Sequence, residues 1–273
     1  MTAPQVLAGR GLAFQYPGAP RPLFCDLDIH VQRGEIIAVL GPSGVGKSSL
    51  LRVLGGLQAP ARGEVTLHGE PLLAPHPRVA IAFQDPSLLP WLTLEKNVAF
   101  GLDFKRQPRR DKAERAALVD EALREVGLSD FRRAYPSQLS GGMSQRAALA
   151  RCLARRPEVL LLDEPFGALD EVTRREMQAL LLQIVADYDT AALLITHDID
   201  EALAVADRIV LLGGAPASVI SLWDVRVAHP RADAIEELGQ LRIEILQALR
   251  GTLRRPRKDI QTCALTASLA VAC

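Results

Sequence analysis

The apolar run Ile36-Ile37-Ala38-Val39-Leu40 leads directly into Gly41-Pro42-Ser43-Gly44-Val45-Gly46-Lys47-Ser48, and helix-forming text (Ser49 to Leu54) follows. No other stretch constrains the fold so tightly. A buried strand, a Gly-rich turn and a helix in that order make a phosphate-binding loop on a parallel α/β sheet. The residue types follow from the chemistry. Gly41, Gly44 and Gly46 let the backbone wrap a phosphate with its N–H groups turned inward, through φ values a side chain would resist. The helix behind the loop adds about half a positive charge at its N-terminus. Lys47 brings a full charge to the β- and γ-phosphates, and the Ser48 hydroxyl is placed to ligate Mg²⁺. The ligand class is therefore a nucleoside triphosphate, held by Gly41, Pro42, Ser43, Gly44, Val45, Gly46, Lys47, Ser48 and Ser49.

Further text narrows the reading. Leu139-Ser140-Gly141-Gly142-Met143-Ser144-Gln145-Arg146 precedes an apolar-periodic helix, Ala147 to Leu153. Two glycines opening a helix form a second anion site, with Ser140 as cap and phosphate donor. One chain thus carries two half-sites for phosphate. Glu158-Val159-Leu160-Leu161-Leu162 reads as a buried strand running into Asp163-Glu164-Pro165. A carboxylate at the carboxyl end of a parallel strand is where Mg²⁺ is reached, so Asp163 is the metal-binding candidate. Glu164 is the candidate to orient or deprotonate an attacking water. Ala192 to Thr196 is another strand and ends at His197, within reach of a γ-phosphate.

In these motifs the chain resembles the ATP-binding subunit of an ATP-binding-cassette (ABC) transporter. The phosphate loop, Gln84 in Ala82-Phe83-Gln84-Asp85, the signature at 139–146, the acidic strand at 159–164, Ala168-Leu169-Asp170 and Thr196-His197-Asp198 stand in the family's order. The resemblance spans about residues 10 to 215 and implies roles position by position. Tyr16 would stack on adenine. Gln84 would contact Mg²⁺ with Ser48 and Asp163, and sense a membrane partner. Glu164 would be the catalytic carboxylate and His197 the γ-phosphate switch. Asp170 would lie in a loop crossing to a second subunit. Two copies would pair head to tail, so that Ser140, Gly141, Gly142 and Gln145 of one close over ATP held by Lys47 of the other. The commonest signature has Gln where this chain has Met143. The branch serving nitrate, alkanesulfonate, taurine and thiamine-precursor importers often departs there. Leu88-Leu89-Pro90-Trp91, Asn97 to Leu102 and His229-Pro230-Arg231 resemble that branch. Trp91 reads equally as a packing anchor or as lining of a groove where a permease docks.

The implied partners are transmembrane permease subunits, a second copy of the chain and, indirectly, a periplasmic substrate-binding protein. The implied place is the cytoplasmic face of the inner membrane, held peripherally. Composition fits this. The 32 Lys+Arg balance 32 Asp+Glu, so no basic excess points to nucleic acid. Met1 to Val6 lacks the features of a signal peptide, and no apolar run approaches the roughly 18–20 residues that span a bilayer. Cys25, Cys152, Cys263 and Cys273 lack metal-ligand spacing.

The expected fold is α/β: a P-loop NTPase core with a mainly parallel sheet, an N-terminal antiparallel β-subdomain and an inserted helical subdomain. Strands are expected at about 36–40, 79–83, 159–162, 191–195 and 208–212 with helices between them. Alternation in Leu12–Tyr16 and Leu27–Val31 marks the antiparallel part. The ABC ATPase domain would cover 5–250, with core and β-subdomain at 5–92 and 156–225 and the helical subdomain at 93–155. A helix over Ala113–Val126 would bury Ala117, Val119, Ala122 and Val126, while the charges around 105–115 form a solvated face. An amphipathic C-terminal helix is expected at 232–250, with Ile235, Leu238, Ile245 and Leu249 on one stripe. Residues 251–273 would be a flexible tail. Asp198, Asp200 and Glu201 either join the site or serve as the acidic first turn of a helix. Two other functions stay open: a soluble ABC ATPase without a transport role, and a regulatory module that binds ATP without hydrolysing it.

Overall fold

The computed structural model describes residues 5–167, 169–231 and 234–254. Five strands run parallel: β3 (Ile36–Leu40), β6 (Val79–Ala82), β7 (Val159–Asp163), β8 (Ala191–Ile195) and β9 (Arg208–Gly214). β3, β7 and β8 are buried at every position, as expected of central strands covered on both faces. Their pleat sorts the side chains into two cores. Ile37 and Val39 face the helix after the phosphate loop, α1 (Lys47–Leu54), where Leu50, Leu51 and Leu54 are buried. Burying each such leucine stabilises the fold by about 1.5–3 kcal/mol. Ile36, Ala38 and Leu40 face the opposite way, toward α4 (Gly141–Leu153), α5 (Glu171–Tyr188) and α6 (Ile199–Val205).

The N-terminal strands β1 (Gln5–Phe14) and β2 (Phe24–Gln32) pair antiparallel, and β1 also pairs with β4 (Arg62–Leu67), which turns into the short β5 (Glu70–Pro71). They do not form a separate sheet. β10 (Ala217–Asp224) pairs antiparallel with β9 and meets β2 at Ala217–Phe24, which joins everything into one sheet of order β5-β4-β1-β2-β10-β9-β3-β8-β7-β6. β4 and β10 are strands the apolar pattern does not announce: half of β4 is exposed, and most of β10 is only half-buried.

The insertion after β6 is helical, with α2 (Leu94–Ala99) and α3 (Lys112–Glu125) packed on α4. α3 buries Leu118, Val119, Ala122 and Leu123, with Val126 just after it; Ala117, expected on that stripe, is exposed. The charges at its start are more than a solvated face. The Asp111 carboxylate accepts from the Glu114 N–H (2.8 Å), and the Glu114 carboxylate accepts from the Asp111 N–H (2.9 Å), a reciprocal cap.

The C-terminal helix α7 spans Ile235–Arg254, four residues beyond the expected end. Its last turn is held at Thr252, which packs on Gly213 of β9 and donates its hydroxyl to the Leu249 carbonyl (2.7 Å). Ile245 is fully buried, while Leu238 and Leu249 are half-buried against the core. Ala232 and residues 255–273 lie outside the described residues.

Candidate nucleotide site

Four of the motifs sit at the carboxyl ends of parallel strands, where the sheet opens. β3 delivers the phosphate loop, β6 delivers Gln84, β7 delivers Asp163 and Glu164, and β8 delivers His197. Gly44 (φ 77°) and Gly46 (φ 107°) take the left-handed backbone the loop needs. A Cβ on Gly46 would meet Leu23 Cγ at 2.9 Å. Lys47 is buried, and its ammonium donates to the carbonyls of Gly41 (2.8 Å) and Pro42 (3.2 Å), so it is aimed across the mouth of the loop. Burial lowers its pKa, opposed by the carboxylates of Glu164 and Asp163.

The Ser48 hydroxyl donates to the Asp163 carboxylate at 3.1 Å. Burial holds the Asp163 carboxyl above its ordinary range, with Ser48 acting in the opposite sense. Two hard oxygen ligands therefore converge below the loop, a donor set that fits Mg²⁺. Glu164 follows at φ 46°, a strained value for a non-glycine residue. Its N–H is fixed by the Ile195 carbonyl of β8 (2.9 Å). Its carboxylate accepts from Gln84 Nε2 at 3.3 Å on one side and lies 3.2 Å from His197 Nδ1 on the other. Gln84, Glu164 and His197 thus form one contiguous group.

A cavity of about 300 Å³ is walled by Tyr16, Ser43, Gly44, Lys47, Ser48 and Glu164, among others. Tyr16 is partly exposed at its edge, braced by a hydroxyl contact to Ser49 (2.8 Å) and by the edge of Phe14. Residues of the 139–146 signature do not line this cavity. Ser140 and Gly141 are exposed, and Ser140 caps α4 by accepting from the Met143 N–H (3.2 Å). A Cβ on Gly142 would meet Thr173 Cγ2 at 2.6 Å. Gln145, grouped with these by its sequence position, is turned inward: it is buried and donates to the Gln84 carbonyl (2.9 Å). Asp170 caps α5, accepting from the N–H groups of Val172 and Thr173 (3.1 Å each) and from the Thr173 hydroxyl (2.7 Å). The Thr173 N–H, ahead of its hydroxyl, holds the Asp170 carboxyl below its ordinary range. Ala168 lies outside the described residues.

The segment after Gln84 is fastened by residues whose isolated sequence context says little. The buried Asn97 amide accepts from the Leu89 N–H (2.7 Å) and donates to the carbonyls of Leu89, Leu92 and Thr93. Arg151 donates to the carbonyls of Pro86 and Ser87. With the loop pinned, Trp91 stands 70 % exposed, so it is no packing anchor within this chain. Arg231, also buried, donates to the carbonyls of Leu203 and Ala206 and so terminates α6, beside α7. Fixed guanidinium geometry suits such multiple capping.

Fold and site together define a P-loop nucleotide hydrolase with a second Gly-rich helix start that faces solvent. The ABC transporter family model matches residues 24–167. The chain is 46 % identical over 228 residues to the aliphatic sulfonates import ATP-binding protein SsuB 2 of Burkholderia lata, covering 84 % of this chain and 81 % of that one. It is 43 % identical over 244 residues to the nitrate import ATP-binding protein NrtD of Synechococcus elongatus, covering 88 % and 89 %. Among solved structures, the dimeric bacterial ABC transporter cassette MJ0796 superposes with a TM-score of 0.72 at 29 % identity, covering 81 % of this chain and all of that one. The chain belongs to the ABC transporter family.

Proposed function

We propose that this chain is the ATP-hydrolysing subunit of an ABC importer for a small anion such as nitrate, a sulfonate or taurine. The observation that supports it most is the joining of Gln84, Glu164 and His197 beside the Ser48–Asp163 pair, at the rim of the phosphate-loop cavity. The Glu164 carboxylate is held by the Gln84 amide on one side and lies against His197 on the other. From there it orients or deprotonates the water that attacks the γ-phosphate. Lys47 and the loop N–H groups stabilise the charge that develops on the phosphoryl oxygens. Ser48, Asp163 and Gln84 would hold Mg²⁺, which would supply charge neutralisation to the phosphoryl group being transferred. Tyr16 offers its ring to the adenine.

The exposed start of α4 belongs to a second site. In a head-to-tail pair, Ser140, Gly141 and Gly142 of one copy complete the γ-phosphate site of the other, and Asp170 lies at the crossing. Asp163, Glu164 and His197 in one cluster favour this over a non-hydrolysing regulatory module. Among the described residues no helix is long and apolar enough to cross a membrane. Attachment at the cytoplasmic face therefore falls to permease subunits, docking over the pinned loop that displays Trp91, with a periplasmic binding protein delivering cargo to them. Growth on a sulfonate or on nitrate as sole source tests the reading. A strain deleted for this gene should lose growth on one of them, regain it with the wild-type gene and fail to regain it with Lys47→Ala. Wild-type growth of the deletion strain on all such sources would refute the anion-import reading.

A further inference from the structure

Beneath His197 runs a chain of side chains that ends in the loop before α5. The Thr196 hydroxyl, at the end of β8, donates to the buried Glu201 carboxylate at 2.5 Å and accepts from the Asp198 N–H at 3.1 Å. Asp198 in turn caps α6 through the N–H groups of Asp200 and Glu201. The residues on both sides of His197 are therefore anchored to one carboxylate. The other oxygen of Glu201 faces the Arg174 guanidinium at 3.5 Å. Arg174 lies in the first turn of α5 and reaches back to the Leu169 carbonyl (3.2 Å), the residue before Asp170. Burial raises the Glu201 carboxyl pKa, opposed by Thr196 and Arg174.

We infer that Glu201 and Arg174 are positioning residues that couple the loop at Leu169–Asp170 to His197, so that a shift of that loop moves the histidine on Glu164. An acidic residue in the first turn of a helix needs no such burial to favour the helix dipole, and an exposed side chain would serve that end. Glu201 instead places its carboxylate between Thr196 at the end of β8 and Arg174 at the start of α5. The Thr196 hydroxyl bond and the ion-pair contact at Arg174 give the loop and the histidine one polar link through which a displacement passes. The inference rests on the roles of His197 and Asp170 given above.

The test uses the purified full chain and follows phosphate release against ATP concentration, with thermal melting as a control. Glu201→Gln keeps shape and an acceptor for Thr196 but removes the charge facing Arg174. Arg174→Ala removes the partner and leaves the buried Glu201 carboxylate unpaired, a cost that the melting control reads, and Arg174→Lys keeps charge without the fork. Glu201→Gln and Arg174→Ala should each lower kcat about tenfold, with KM for ATP little changed, and the double variant should be no slower than either. Arg174→Lys should restore part of the rate. Wild-type kcat in folded Arg174→Ala, or losses that multiply in the double variant, would overturn the coupling. His197→Ala is measured alongside. If it too hydrolyses at the wild-type rate, the assignment of His197 has failed; if it alone is slow, only the coupling has.

Discussion

At the residue scale the site is a set of charged groups held in place by neighbours that are not themselves reactive. Glu164 has a left-handed backbone, an N–H tied to β8 and a carboxylate between Gln84 and His197. Its shape survives in glutamine, its basicity does not. Glu164→Gln should lower turnover by roughly 10²–10⁴, the usual worth of a general base, with ATP affinity retained. Phosphate release and nucleotide binding measured on the same preparation check this, and near-normal turnover would remove Glu164 from the role. The sequence alone singles out Lys47, Ser48, Asp163, Glu164 and His197, because motif spacing dictates their chemistry. It does not separate Gln145 from Ser140 in function. Only the fold shows that one faces Gln84 and the other solvent.

At the element scale two contacts carry predictions. Gly142 lies against the Thr173 methyl, and the Thr173 hydroxyl holds Asp170. Gly142→Ala should destabilise the chain by about 1–3 kcal/mol, as overpacking does, and disturb the start of α5. Adding Thr173→Ser removes the methyl, keeps the hydroxyl, and should recover most of the loss in a denaturation midpoint. At the far end of α5, Tyr188 donates to Glu121 of α3 (3.3 Å). Burial first, then Glu125 and Glu121, raise its pKa from 10.0 to about 12. A raised folded value means the stabilisation is fully present below pH 10 and fades as pH climbs toward 12. Melting temperature should therefore fall less steeply across that window in Tyr188→Phe than in wild type. Element positions were legible where strands are buried on both faces, as at β3, β7 and β8. β4 and β10 were not, because partly exposed strands lack a continuous apolar run.

At the scale of the whole molecule the chain holds a complete phosphate loop and a detached signature helix start, which face different surroundings. This arrangement predicts that bound ligand drives two copies together. Glu164→Gln, which should retain ATP, ought to be monomeric without nucleotide and dimeric with Mg-ATP by light scattering. Ser140→Arg, at an exposed position, should keep nucleotide binding and abolish the dimer. A monomer under both conditions would place closure under the control of permease subunits or set the composite site aside.

The amino-acid order by itself determined the ligand class, the parallel core and which residues gather around the phosphate loop, since strand periodicity and a phosphate loop are local properties. Tertiary structure decided what depends on distant pairs. It merged the antiparallel strands into the main sheet through β10, pinned the Gln84 segment with Asn97 and Arg151, and carried α7 to Arg254 on a contact with Gly213. It also sorted the acids after His197: Asp198 caps α6, Asp200 pairs with Arg242 on α7, and Glu201 turns inward to Thr196 and Arg174. Their sequence context is the same acidic first turn. What separates them is which neighbour the fold brings within about 3 Å, where a hydrogen bond forms.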